Sequence, residues 1–297
     1  MDYKIEREER NKAIRKFKGH LGKAASKAGW EKLGSVAQNT RWLPPTRAKV
    51  SEPHVYAEED DLKRLMRWIA SYLSARYNIG SEVQCYYDIS TRRIVVAAND
   101  NSDIEKLKSM VGNMSLAAVF NDVSIQQIPI GLYATTPKAS QGQRHWEELK
   151  KLANIAKKSM GERGLSKVSF YVVPCIRGVR SLHAEQRILC CLRGEAENGS
   201  LMLRPELLGG IKRPCFACAH ACFTSDDRKN VHSGLFWDTM SATDMLEQSA
   251  NEDIAEAMQG QPEVYRTLIS RTRKETEDVG SESEDEDNFY SRVLGKL

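Results

Sequence analysis

The chain lacks any run of eighteen or more apolar residues, which excludes a membrane-spanning helix. It also lacks an apolar stretch near its start: MDYKIEREERNKAIRKFKGH is charged throughout, which argues against Sec-type export. No internal repeat is visible. The seven cysteines, Cys85, Cys175, Cys190, Cys191, Cys215, Cys218 and Cys222, are odd in number and include an adjacent pair. With no export signal, that pattern speaks against a disulfide framework and for reduced thiols. Wholesale disorder is excluded in turn, since 41% of the 297 residues are hydrophobic, enough for one large domain or two modest ones. The expected setting is the cytoplasm, or delivery into a target cell by a route without a Sec signal.

The formal net charge of +4 conceals an asymmetry: residues 275–287 (ETEDVGSESEDED) carry eight acids and no base. Residues 1–34 carry ten Lys/Arg against five Asp/Glu. A basic body attracts phosphates over long range, or simply keeps the chain soluble. Three parts are expected: a basic N-terminal arm and linker over 1–53, a catalytic domain over 54–260 with an insertion at about 100–165, and a C-terminal helix with a solvated acidic tail over 261–297. The arm reads either as a marginal helix or as a disordered segment, with a linker from Leu33 to Pro53.

Within the central part, Leu62, Leu65, Met66, Ile69 and Leu73 recur at helical spacing, predicting a helix over Asp60–Tyr77 with Gly80 as its stop. Val83, Cys85 and Tyr87 alternate with polar residues, and Ile94–Ala98 is a short apolar run, which predicts a hairpin turning at Asp88–Arg92. Ser102 and Glu105 suggest a capping box for a helix through Val111. Ala117–Ile130 carries weak strand patterns, and Thr135–Gln143 reads as loop. A second helix is expected over His145–Met160, with Trp146, Leu149, Leu152, Ala153 and Ala156 inward. Strands are expected at Lys167–Val173, Leu207–Ile211 and Leu235–Trp237, and helices at Leu182–Leu192, Ser241–Met258 and Gln261–Arg273. Cys222 and one or both of Cys190 and Cys191 read as small buried hydrophobes.

Two short pieces carry chemistry together: His183-Ala184-Glu185, and Pro214-Cys215-Phe216-Ala217-Cys218, with 29 residues between Glu185 and Cys215. They fit the H-x-E … P-C-x-x-C signature of zinc deaminases. The physical case stands on its own. Zn2+ prefers nitrogen and sulfur ligands in a tetrahedron; His183, Cys215 and Cys218 supply three, and water takes the fourth vertex in a catalytic site. Pro214 suits a helix start, which would place both cysteines on one face of the first turn. Glu185 stands two residues from His183, and side chains two apart on a helix point different ways. Both can face one ion only at the mouth of a helix that begins close to His183. There Glu185 would move protons rather than ligate. His220 as a fourth ligand would close the site.

These residues, SLHAEQRILCCL followed by GGIKRPCFAC, resemble the cytidine-deaminase-like superfamily, particularly its bacterial toxin and effector branch. The resemblance is specific over about 180–220 and looser over 60–240. It implies an α/β/α three-layer sandwich around a central mixed sheet that opens with a hairpin; the helical N-terminal arm and the disordered acidic tail added to it are read from the charge pattern. The resemblance also implies hydrolytic removal of an exocyclic amine from a nucleobase, cytosine favoured, in nucleic acid or a nucleotide. His183, Cys215 and Cys218 match the zinc ligands, and Glu185 matches the proton shuttle. Asn99 matches a position that often contacts the substrate sugar, unless residues 117–132 supply the hairpin instead. Phe216, between the ligands, is a candidate border of the substrate pocket. Positive charge at Arg177, Arg180, Lys212 and Arg213 would suit a phosphate-bearing substrate. The implied partners are that substrate and an immunity protein or another basic partner for the acidic tail; no membrane is implied, and the oligomeric state is open. A free-nucleoside deaminase, an inactive zinc-stabilised binding module and a redox protein built on Cys215 and Cys218 are the competing readings.

Overall fold

A computed structural model of the chain describes residues 23, 26, 31–36, 39–43, 61–126, 137–175, 183–212, 214, 216–224, 236–237 and 286–297. The expected helices over 241–258 and 261–273 lie outside the described residues, as do most of the N-terminal arm, Arg177, Arg180 and Arg213. The chain divides into two compact units. One comprises residues 57–175, 204–212 and 280–297; the other comprises 1–56, 176–203 and 213–279.

The first unit is α/β and is built on a mixed sheet. The chain enters it through α1 (Asp61–Arg76), in which Leu62, Leu65, Met66, Ile69 and Leu73 are all buried. The left-handed residue after this helix is Asn78, at φ 50°, and not the expected Gly80. Asparagine tolerates that region because its short polar side chain bonds locally. β3 (Val83–Asp88) and β4 (Arg93–Ala98) pair antiparallel from Val83 opposite Ala98 to Asp88 opposite Arg93. Asp88 holds the turn, accepting from the Ser90 N–H at 3.1 Å and from the Ser90 and Thr91 hydroxyls at 2.6 Å.

The sheet order is completed by β5 (Ser169–Val172), parallel to β4, and β6 (Leu208–Gly210), antiparallel to β3. β3 is therefore an inner strand. Its alternation does not leave a wet face: Gln84 is fully buried and donates its amide to the Lys212 carbonyl at 2.9 Å. β6 is short and glycine-bearing for a steric reason. A Cβ on Gly209 would fall well inside contact distance of the Lys63 carbonyl oxygen and the Arg67 nitrogen, so α1 crosses the sheet here backbone to backbone.

A parallel β4–β5 pair needs a crossover. It is supplied by α2 (Asn101–Val111), α3 (Leu116–Ile125), α4 (Pro137–Ser159) and α5 (Gly161–Leu165). Three expectations are corrected along it. The Ser102–Glu105 capping box does not form: the N-cap is Asp100, with no side-chain cap bond. The strand patterns begun at Ala117 are helix through Ile125, opened by Ser115, whose hydroxyl accepts from the Ala118 N–H at 3.3 Å. That removes residues 116–125 as an alternative hairpin. The loop expected over 135–143 is helical from Pro137, a residue suited to a first turn because its missing N–H has no partner there. The inward set Trp146, Leu149, Leu152, Ala153 and Ala156 is fully buried as the periodicity predicts.

The acidic tail, expected to be solvated, is corrected most. Its last part is α8 (Glu286–Lys296), a helix that buries Phe289, Tyr290, Val293 and Leu294. Phe289 meets Trp68 edge-on at 5.5 Å, Tyr290 donates to Glu148 at 2.9 Å, and the Tyr87 hydroxyl donates to the Leu297 carbonyl at 3.0 Å. Arg292 and Lys296 both reach Asp61, at 3.1 and 3.2 Å.

In the second unit, β1 (Glu31–Val36) and β2 (Asn39–Leu43) form an antiparallel hairpin with an irregularity between Lys32 and Gly34, and β7 (Phe236–Trp237) pairs with β2. The linker expected from Leu33 is therefore strand as far as Leu43, stopping where Pro44 and Pro45 remove two backbone donors. α6 (Ala184–Ala196) and α7 (Phe216–Cys222) complete what is described there. Among the described residues, no helix is long and apolar enough to cross a membrane.

Candidate metal centre

The centre is built at the start of α6. His183 is the N-cap of that helix, at φ −72° and ψ 159°, so its backbone is extended and its ring is not committed to the helix side. Its carbonyl accepts the first helical bond, from the Arg187 N–H at 3.1 Å, and its side chain makes no capping bond. Glu185 is in the first turn and is 3% exposed. This is the arrangement that lets residues two apart converge: one precedes the helix, the other belongs to its opening turn.

The partner comes from α7, 35 residues further along. Cys218, the third residue of that helix, is fully buried. Its sulfur lies 3.3 Å from His183 Nδ1. His183, Glu185 and Cys218 offer one ligand atom each, all within 4.8 Å of one another, and could hold a metal ion. The end of α7 is fixed by the Leu203 N–H, which donates to the Cys222 carbonyl at 2.8 Å. α6 closes on Glu197 in the left-handed region (φ 49°), and the Arg193 guanidinium donates to the Leu201 carbonyl at 2.8 Å, turning the chain back.

Of the expected site residues, the structure brings together His183, Glu185 and Cys218. Cys215 lies outside the described residues, as do the side chains of Phe216 and His220. Pro214 is buried and stands two residues ahead of α7. Asn99 follows β4 in the other unit, where its N–H donates to the Glu82 carbonyl at 3.1 Å. Lys212 is exposed, and Glu82 holds it twice: one carboxylate oxygen accepts from its backbone N–H at 2.6 Å, the other pairs with its ammonium at 3.3 Å. Cys222 is buried as expected, but Cys190 and Cys191 are only half-buried, which corrects their reading as core residues.

Two residues escaped the sequence reading. Gln186, 2% exposed, donates its amide to the Cys218 sulfur at 3.5 Å. Arg187 is fully buried one turn beyond His183. The signal for both was spacing, since positions three and four after His183 share its side of the helix. The chain matches no family model, and no curated protein or solved structure shows significant similarity to it.

Proposed function

We propose that the chain is a zinc-dependent hydrolytic deaminase acting on a nucleobase, cytosine in preference to adenine, in nucleic acid or a nucleotide. The observation that carries the reading is the approach of His183 Nδ1 to Cys218 Sγ at 3.3 Å with the buried Glu185 carboxylate beside them. Two bonds of about 2.1 and 2.3 Å meeting at a tetrahedral angle place nitrogen and sulfur about 3.6 Å apart, so the observed pair fits a shared ion with a shift of a few tenths of an ångström. The donor chemistry also fits, because one imidazole and thiolates suit zinc better than a hard cation. Cys215, by the C-x-x-C spacing, is the third ligand in this reading. The mixed sheet opening on the β3–β4 hairpin supports the deaminase-like sandwich that the resemblance implies.

When bound, zinc would bring the pKa of a ligated water down to about 7 and so make hydroxide available at neutral pH. The rest falls to the chain. If His183 holds the ion through Nδ1, its neutral ring would carry the proton on Nε2. Glu185 accepts one proton from the attacking water and passes it to the ring nitrogen, then takes the proton of the hydroxyl now on the ring carbon and passes it to the amine as the C–N bond breaks and ammonia leaves. Its burial keeps bulk water from competing for that exchange. Gln186 directs an N–H at the Cys218 sulfur and fixes its rotamer.

The deciding experiment presents cytidine, single- and double-stranded DNA and RNA to the purified chain, with Glu185→Ala as the blank. Ammonia release on a polymer with one zinc per chain supports the reading, and turnover of cytidine alone transfers it to a free-nucleoside enzyme. A stoichiometric zinc whose only effect is on melting, with no turnover on any substrate, overturns it in favour of a binding module.

A further inference from the structure

A strongly charged stretch of the described surface belongs to neither the centre nor the acidic tail. From Lys150 to Lys167 the chain carries six cations and one acid. These residues run along the second half of α4, through α5 and up to β5. Lys150, Lys151, Lys157, Lys158, Arg163 and Lys167 are all exposed. The apolar side of α4 is fully occupied, with Leu152, Ala153 and Ala156 buried, so the lysines stand on its outer face. Lys150 and Lys157, like Lys151 and Lys158, are seven residues apart, two turns or about 10.5 Å along one face.

Lys151 pairs with Glu148 at 3.3 Å and Lys157 reaches the Ser124 hydroxyl at 3.4 Å. Lys150, Lys158, Arg163 and Lys167 make no ion pair with another described residue. A row of uncompensated like charges repels itself, and a polyanion relieves that repulsion while its own condensed counterions are released. Among the described residues, no large apolar side chain is exposed between Lys150 and Lys167, so the strip has nothing to insert into a lipid surface.

We propose that this lysine strip docks the sugar–phosphate backbone of a nucleic acid, reading charge rather than sequence. It rests on the deaminase reading only in so far as it assigns that enzyme a polymeric substrate; backbone binding itself is measured without turnover. Lysine suits the task because its ammonium is a point charge on a flexible stem that tracks irregularly spaced phosphates.

The test is fluorescence anisotropy of the full chain with a labelled 20-nucleotide single strand, as DNA and as RNA, over a salt series. The variants are Lys150→Gln/Lys157→Gln/Lys158→Gln, the matching Lys→Arg triple, and Arg92→Gln/Lys106→Gln/Lys108→Gln as an equal charge change elsewhere in the same unit. The strip triple should lose about two units of log–log salt slope and on the order of a hundredfold in affinity at 0.1 M salt, at about 0.7 of slope per phosphate contact. The arginine triple should restore both, and the control triple should leave the slope within half a unit. Equal losses in strip and control triples, or no binding by the wild-type chain, overturn the proposal. Equal or stronger strip-dependent binding to vesicles containing phosphatidylserine overturns it in favour of a membrane. Deamination of a free nucleoside, assayed against Glu185→Ala, reads the centre separately, so either idea can fail alone.

Discussion

At the scale of single residues, the proposed reading separates holding an ion from moving a proton. His183 and Cys218 supply donor atoms 3.3 Å apart with the Glu185 carboxylate beside them, and in the proposed reading Cys215 rather than Glu185 is the third ligand. Cys218→Ala should therefore abolish stoichiometric zinc, read by elemental analysis. Glu185→Gln should keep the zinc and lower kcat by about 10²- to 10⁴-fold, the span of general acid–base contributions. His145, in the other unit, makes stability depend on pH. It lies buried, with Nδ1 2.8 Å from the Ser71 hydroxyl, and burial, aided by Arg67 and Arg144, lowers its pKa to about 3. The unfolded chain protonates this histidine near pH 6.5, while the folded chain does not until about pH 3. Stability therefore falls as pH drops through that window, by about 1.4 kcal/mol per pH unit. His145→Gln should flatten denaturant midpoints between pH 6 and 4. His183 and Glu185 were legible in the sequence because the chemistry fixes residue type and spacing together. His145 was not, because a lone histidine carries no mark of the serine 74 residues away that will meet it.

At the scale of elements, α8 shows how charge can mask periodicity. Eight acids in residues 275–287 obscure the segment after them, yet Phe289, Tyr290, Val293, Leu294 and Leu297 recur at helical spacing and are all buried. Asp61 fixes the docking. Burial raises its carboxyl, but hydrogen bonds and charge from Arg292 and Lys296 outweigh that and hold it below the usual carboxylate range. A depressed carboxylate stabilises above its unfolded pKa and ceases to as pH falls through its folded value, so α8 should loosen only in strong acid. Asp61→Asn should cost about 1–2 kcal/mol and speed proteolysis within 286–297 at neutral pH before β3 and β4 are touched. Phe289→Ala, which empties the space against Trp68, should cost about 3–5 kcal/mol in chemical denaturation. The opposite error arose at α3. Leu116, Ala117, Val119, Phe120 and Val123 are all buried, and a segment apolar on most sides shows no clear helical stripe.

For the whole molecule, composition bounded the fold class and little else. The mixed four-stranded sheet was legible as a hairpin and two later strand signals, but the division into two units was not, because each is assembled from separated stretches of chain. If the centre holds zinc as proposed, its loss should be felt unequally. α6 and α7 belong to one unit, and the sheet of β5, β4, β3 and β6 to the other. Metal binding adds its free energy to whatever fold presents the ligands. Chelation should therefore raise amide hydrogen exchange across α6 and α7 while β3 and β4 stay protected, which mass spectrometry on peptides would resolve.

Where α1 passes over β6, even alanine has nowhere to go. A methyl on Gly209 would collide with the Lys63 oxygen and the Arg67 nitrogen, and one on Gly210 with the Gln84 amide. In a saturation library selected for expression, the Gly209 codon should be nearly invariant, because it meets backbone, whereas Gly210 should tolerate the changes that let the Gln84 amide swing aside. An intolerant glycine in such a library is easily mistaken for part of a catalytic motif, when what it records is clearance.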